Sequence, residues 1–463
     1  MERPLRRRSR SPLWTWPALC AALGIRSEAG PDVTGICIDS RRAIPGDLFV
    51  ALPGDPGPRF HPSHRSNRDG HDYVDDAIAN GAVGALVHDE VERRVPQLRV
   101  ADTLDGLWAL GAAARARLAC PVVAVTGSSG KTTTKALLAR ALGAFATSGS
   151  LNNHLGVPLS LALTPKDVSA AVYEIGTSHP GEIAPLAKLV QPDVAIVLNV
   201  HPAHAEYFVD LDDLRIEKLS IYNGLPEKGH LIIEDLIDAT DIPEALHVVR
   251  FGRSKRADVR CLSATGGRAT FELSGTQVKA NVPGGGAHRA LSLGAVLAVL
   301  QVLGRDPGPA LTLDDELIPP GRGQTREVAG ITLIDDSYNA NPASMRAALA
   351  GLDRGAGRLY AVLGEMLELG VDGERYHREL ADETHGLTGV ICVGTGMRPL
   401  YDALPEKLRC GYYTAANGML IKHLQGLLQS GDRVLIKGSN RVFWKVGFVE
   451  QLAKKLELPV NPS

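Results

Sequence analysis

The segment VVAVTGSSGKTTTKALLARAL, residues 122–142, holds the residue types and spacing best suited to chemistry. An apolar, β-branched run leads into a glycine-bearing turn, and Lys131 and Thr132 then open a helical pattern. Turn glycines let backbone N–H groups close on phosphate oxygens, and a helix N-terminus adds donors and partial positive charge. In that setting Lys131 reaches the β- and γ-phosphates of a nucleotide, and the Thr132 hydroxyl ligates Mg²⁺. Val125 stands where the common GxxxxGK[ST] loop has its first glycine, and Gly127 follows two residues later. The match is therefore to a shorter GxxGKT variant, formed by Gly127, Ser128, Ser129, Gly130, Lys131, Thr132 and Thr133.

Further candidates stand at the ends of other apolar runs, where parallel α/β sheets collect their ligands. AAVYEIG places Glu174 near a strand end, where a metal-organising acid belongs in such an enzyme. PDVAIVLNV leads into HPAHAEYF, which offers His201 and His204 for a metal or phosphate role. PPGRGQ sets Arg322 between two glycines, and guanidinium suits bidentate phosphate contact. ITLIDDSYNANP ends a strand with Asp335 and Asp336, and a carboxylate there can accept from ribose hydroxyls. Lys218, in IEKLSIYNGL, reads from its surroundings as an ordinary solvated helix lysine.

These residues need a scaffold, and the chain supplies three stretches of different texture. At 463 residues it exceeds one compact core, and its length suggests about three domains. Residues 1–101 hold short strands and a Pro/Gly/His-rich insert around 54–68, read as a loop. Residues 102–323 alternate β-branched strands with helices, the pattern of a parallel sheet wrapped by helices. Residues 324–463 repeat that texture as a smaller, Rossmann-like unit. The expected class is thus α/β in three domains. The start, MERPLRRRSRSPLWTWPALCAALGI, reads as a short basic tail before a first helix carrying Leu19, Leu23 and Ile25.

A net charge of -2 argues against a polyanion-binding surface, so no nucleic-acid partner is expected. Six cysteines without a CxxC pair point to reduced thiols in the cytoplasm. No stretch reaches the ~20 apolar residues of a membrane span, and a monomer is expected.

Taken together, TGSSGKTTTK, LNNHLGVPLSL, YEIGTSHPGEI, NVHPAH, PPGRG, DDSYNANPASM and VLGEMLELG resemble the Mur ligase superfamily over nearly the whole chain. DSRRAIPGDLFVALPG and DGHDY look like its UDP-sugar domain, and the DNPR signature of the sister ligases that add the third residue is not found. SYNANP and VLGEMLELG are the discriminating motifs within the superfamily. The resemblance implies ATP-dependent joining of D-Ala-D-Ala to UDP-N-acetylmuramoyl-tripeptide through an acyl phosphate. It implies Lys131 on the γ-phosphate, with Thr132, Glu174, His204 and a CO₂-carbamylated Lys218 as the Mg²⁺ ligands. It implies that Arg322 and Asp336 close on the γ-phosphate and ribose. Asn152, Asn153 and Asn339 would face substrate, and Ser40, Arg41 and Asp47 the uridine nucleotide. The chain departs from the family's HNxxN pattern, where His288 is followed by Arg289 and Ser292 in place of the two asparagines. Ser220 also stands near Lys218 where glutamate is common. Other readings are a folate-extending ligase of the same superfamily and a degenerate nucleotide-binding regulator. A P-loop GTPase is disfavoured because no NKxD motif occurs.

Overall fold

The run VVAVT is buried at all five positions, as a strand covered on both faces of a parallel sheet must be. The computed structural model describes residues 12–458, apart from 27–28, 56–67, 90, 92–94, 203–205, 353–354 and 356. The basic tail up to residue 11, most of the insert and His204 therefore lie outside the described residues.

Strands β1 (Gly35–Cys37), β2 (Asp47–Val50), β3 (Gly84–Val87) and β4 (Gln97–Arg99) form a parallel sheet in that order. A second sheet takes β5 (Val122–Thr126), β6 (Ala171–Glu174), β7 (Val194–Val197), β8 (His230–Glu234), β9 (His247–Gly252), β10 (Val259–Thr265), β11 (Arg268–Leu273) and β12 (Thr276–Asn281). Its order is β12-β11-β10-β9-β8-β7-β5-β6. The β8–β9 and β9–β10 pairs are parallel, while β10–β11 and β11–β12 are antiparallel. The third sheet contains β13 (Gln324–Val328), β14 (Ile331–Asp336), β15 (Leu359–Gly364), β16 (Gly389–Val393), β17 (Arg409–Tyr413) and β18 (Arg433–Lys437). Its order is β13-β14-β18-β15-β16-β17, parallel apart from the β13–β14 hairpin.

The fold is thus α/β, in three domains with one sheet each. By proximity the chain groups into two compact units. One is Met1–Ala124 with Gly143–Ala195 and Ser220–Gly229; the other is Val125–Leu142 with Ile196–Leu219 and His230–Ser463.

The third sheet shows why its strands read as continuous apolar runs. Tyr360 and Val362 of β15 join one core cluster with Phe448, Val449 and Leu452 of the helix Phe448–Leu456. Their neighbours Leu359, Ala361 and Leu363 join the opposite cluster, with Met345 and Leu349 of the helix Pro342–Ala350. Each fully buried leucine or valine contributes about 1.5–3 kcal/mol, and alternate burial on two faces fixes the register. At the other end of the chain, Thr15 caps the helix Trp16–Leu23, which buries Leu19 and ends at a left-handed Gly24. Ile25 lies just beyond it.

Candidate active site

The phosphate loop begins where β5 ends and finishes at the helix Lys131–Leu142. Gly127 has φ +150°, and a Cβ there would lie 2.9 Å from the Leu198 Cβ, so only glycine lets the turn pass this close. The segment after β7 holds the loop from below. The Ser128 amide donates to the Asn199 carbonyl (3.1 Å), and the Ser129 amide donates to Asn199 Oδ1 (3.0 Å). The Ser128 hydroxyl donates to the His201 carbonyl at 2.8 Å and accepts from the His201 amide at 3.0 Å. Lys131 folds back so that its Nζ donates to the Gly127 carbonyl at 2.8 Å. That places the ammonium over the loop, where the terminal phosphates of a nucleotide belong.

Lys218 closes the helix Leu211–Leu219 and is 2% exposed. Burial, with the Lys131 charge in support and Glu217 opposing, pulls its amine down to about 7. Its local sequence suits a solvated lysine; the fold buries it. Burial, and then the Lys218 charge, also holds the His201 imidazole below its ordinary range. The backbone of the same residue steadies Ser128.

Glu174, at the end of β6, is 2% exposed. Its Oε1 accepts from the Ser150 hydroxyl (2.8 Å) and from Asn152 Nδ2 (2.7 Å), and the Asn152 carbonyl accepts from the Gly176 amide (2.8 Å). Asn152 therefore orients the acid. Asn153 Oδ1 accepts from the amides of Leu155 and Gly156, capping the start of the helix Gly156–Ala162.

Asp336, the last residue of β14, is the register partner of Lys437 on β18. The two side chains pair at 2.8 Å, with Lys437 3% and Asp336 19% exposed, and Lys437 Nζ also donates to the Asn339 carbonyl at 3.1 Å. The Arg322 guanidinium lies 4.1 Å from the Tyr338 ring centroid, and that ring meets Trp444 edge-on. Close by, a cavity of about 170 Å³ is lined by Ser128, Asn339, Ala340, Leu367, Glu368, Ser439, Arg441 and Lys445, among others. It joins the phosphate loop, the SYNAN segment and the GEMLELG segment around one space.

In the N-terminal region Ser40 is buried, Arg41 is exposed and forks onto Asp39 (2.9 and 2.8 Å), and the buried Asp47 accepts from the Ile44 amide. That fork holds the Asp39 carboxyl below its usual range. Asp69, His71 and His88 converge nearby with metal-ligand spacing. However, His71 Nε2 accepts from the His88 amide at 3.0 Å, which leaves the proton on Nδ1, facing Asp69 at 2.5 Å. Both ring nitrogens of His71 are already engaged, so this cluster pins strand β3 to the DGHDY turn.

Three functional contacts escape the sequence reading. Asn199 stands unmarked between a strand and two histidines, Lys437 reads only as strand, and Ser150 carries no motif. The one local signal is a polar residue after an apolar run, which Asn199 and Lys437 have and Ser150 does not.

Fold and loop together define an α/β protein of the P-loop, nucleotide-binding class. The family model for the Mur ligase middle domain matches residues 125–300, and that for the Mur ligase glutamate ligase domain matches residues 321–440. The chain is 31% identical over 451 residues to the UDP-N-acetylmuramoyl-tripeptide--D-alanyl-D-alanine ligase of Rickettsia prowazekii, covering 93% of this chain and 98% of that protein. The chain belongs to the Mur ligase family, in the MurF branch made up of such ligases. The Escherichia coli enzyme of the same description is 32% identical, covering 89% of this chain and 92% of that one. Among solved structures, MurF from Acinetobacter baumannii superposes with a TM-score of 0.79 at 31% identity, covering 95% of this chain and 99% of that one. MurF from Thermotoga maritima in complex with ADP gives 0.75 at 30% identity, covering 91% and 98%.

The Asp336–Lys437 pair makes the first prediction. Lys437→Met strands a mostly buried carboxylate and should cost about 3 kcal/mol of unfolding free energy in urea titrations. Adding Asp336→Asn should recover part of that loss; a double variant no more stable than the single one would mean that the two residues act separately.

Proposed function

We propose that this chain joins D-alanyl-D-alanine to UDP-N-acetylmuramoyl-tripeptide with cleavage of ATP to ADP and phosphate, in peptidoglycan precursor synthesis. The observation that carries the reading is the cavity shared by the phosphate-loop residue Ser128 and the SYNAN and GEMLELG segments. A donor site beside a phosphate loop is what a ligase of this kind needs. At about 170 Å³ the cavity is smaller than the roughly 300–1,000 Å³ of ordinary ligand clefts, which suits a compact dipeptide. Arg441 and Lys445 offer cations for its carboxylate, Glu368 an anion for its amine, and Ala340 and Leu367 apolar surface for its methyl groups. Asn339 lies on the same wall.

The reaction begins when the terminal carboxylate of the tripeptide attacks the γ-phosphorus of ATP. An acyl phosphate forms and ADP leaves. The dipeptide amine then attacks the acyl carbon, gives up its proton, and inorganic phosphate departs as the amide closes. Negative charge builds on the transferring phosphoryl group, where preorganised cations count most. Lys131 supplies one from the loop, and Arg322 supplies another from the bend just before the C-terminal domain. Asp336, held by Lys437, serves the ribose. Ser40, Arg41 and Asp47 serve the uridine nucleotide, with Arg41 the most accessible of the three.

The donor set also fits magnesium. Mg²⁺ prefers hard oxygen ligands, and Thr132 and the braced Glu174 offer oxygens, with His204 completing the set by resemblance. A bare lysine amine does not fit, but a carbamate does. Lys218 is buried, and an amine brought down to about 7 is partly neutral at physiological pH. Its lone pair adds to the carbon of CO₂ and its proton leaves, giving an anionic oxygen ligand. Magnesium so held would screen the phosphate charges.

We place the domain boundaries at 101/102 and 323/324, and read the chain as a cytoplasmic monomer. The reading of place is supported by six cysteines that are all free thiols, and by the lack, among the described residues, of any helix long and apolar enough to cross a membrane.

Phosphate release from ATP should require both UDP-N-acetylmuramoyl-tripeptide and D-Ala-D-Ala, and product should appear as the pentapeptide by mass spectrometry. Lys131→Ala should lower turnover by about 10²–10³-fold, and near-normal phosphate release in that variant would refute the site. Arg441→Ala should raise KM for the dipeptide while leaving KM for ATP in place; an equal rise in both would remove the dipeptide from this cavity. With ¹³C-bicarbonate, a carbamate resonance should appear in the native protein and vanish in Lys218→Ala. A spectrum without that resonance would rule the carbamate out.

A further inference from the structure

Arg289 has no catalytic role in the mechanism above, yet its guanidinium joins two loops. It lies in the first turn of the helix Ala287–Val302. Its Nη1 donates to the Gly284 and Gly285 carbonyls, in the turn before that helix, and its Nη2 donates to the Arg322 carbonyl at 3.0 Å. The turn is itself fixed, because the Gly284 amide donates to Asp315 Oδ1 at 2.7 Å.

The Arg322 bend is held from the other side by the C-terminal sheet. The Tyr338 amide donates to the Gly321 carbonyl at 2.8 Å, and the Gly323 amide donates to the Asp335 carbonyl. Arg289 adds the tie to the ATP-binding domain. A Cβ at Gly323 would lie 1.9 Å from Arg289 Nη2, so the bend passes the guanidinium at a distance that only glycine permits. The helix Ala287–Val302 also packs against the phosphate-loop helix Lys131–Leu142, and a Cβ at Gly130 would lie 3.3 Å from Ser292 Oγ. A continuous line of contacts therefore runs from the phosphate loop, through the helix bearing Ser292 and Arg289, to the carbonyl of Arg322.

We infer that Arg289 is a positioning residue that sets the spacing between Lys131 and Arg322, the two cations that converge on the transferring phosphoryl group. Guanidinium suits this role because it is planar, permanently charged, and presents several donors in a fixed fork. Lysine has one donor centre and cannot span two loops. The inference rests on the reading of Arg322 as a phosphate contact, and it gives the departure from the HNxxN pattern a function. In place of a side chain turned to the nucleotide, this chain has one that ties the two domains at the bend between them.

The test is a double-mutant cycle on the full-length protein, with nucleotide affinity and amide exchange measured alongside. Arg289→Ala should lower kcat by about 10- to 100-fold, the scale of a misplaced catalytic group, and leave Kd for ADP by calorimetry unchanged. In an Arg322→Ala background the same change should add no more than about twofold. Amide hydrogen exchange at residues 321–323 should speed up in Arg289→Ala, and Arg289→Lys should behave like Arg289→Ala. Independent, multiplying losses in the cycle would overturn the inference, as would a Kd that rises in step with the lost activity. Full rescue by lysine or unchanged exchange at 321–323 would overturn it too. If Arg322→Ala itself keeps full turnover, the role of Arg322 falls, and the exchange measurement alone then decides whether Arg289 is the tie.

Discussion

Phosphate can be lifted out of water only where backbone amides are already aimed at it and cannot relax away. That requirement governs the molecule. The β5 strand, buried along its length, fixes where the loop starts, and the helix Lys131–Leu142 fixes where it ends. Between them Ser128 and Ser129 are fastened to Asn199 and His201. The loop's course is thus fixed by bonds from its Ser128 and Ser129 amides to Asn199, which leaves a phosphate to the amides that open the helix Lys131–Leu142.

The surroundings of the cradle follow from electrostatics at low dielectric. Its charged groups are paired, set on an aromatic face, made neutral or braced by neutral donors. Asp336 meets Lys437 across adjacent strands, and Arg322 rests on an aromatic face. Lys218, buried beside another cation, gives up much of its proton affinity. Glu174 is steadied by neutral donors from Ser150 and Asn152, which orient a carboxylate without neutralising it. Neutral supports of this kind keep an acid available to a hard cation.

Sequence and structure agree best where the determinant is local. The phosphate loop was legible because strand, glycine turn and helix start are contiguous, and Glu174 was legible as an acid at a strand end. The three α/β layers followed from runs of β-branched residues. Lys218 has no local signal; its burial is a tertiary property that its neighbours in sequence do not show, and only resemblance points there. Lys437 became visible through sheet register, since β18 inserts between β14 and β15. Arg289 shows in the sequence only as a departure from the HNxxN pattern, because its contacts to Gly284 and Arg322 come from separate loops. The Asn152 side chain orients Glu174, a contact that depends on segments brought together by the fold, and that of Asn153 caps a helix.

The tie between Lys437 and Asn339 spans 98 positions of chain, and it has a bearing on biosynthesis. The corner that holds Asp336 cannot assemble until the last strand of the sheet has left the ribosome, although the phosphate loop is translated far earlier. A nascent chain can therefore own a complete nucleotide cradle while lacking its ribose anchor and much of the wall of the dipeptide cavity. Contacts of such sequence separation form late because loop closure must precede them. Unfinished chains therefore lack the cation that holds Asp336 until β18 has been made.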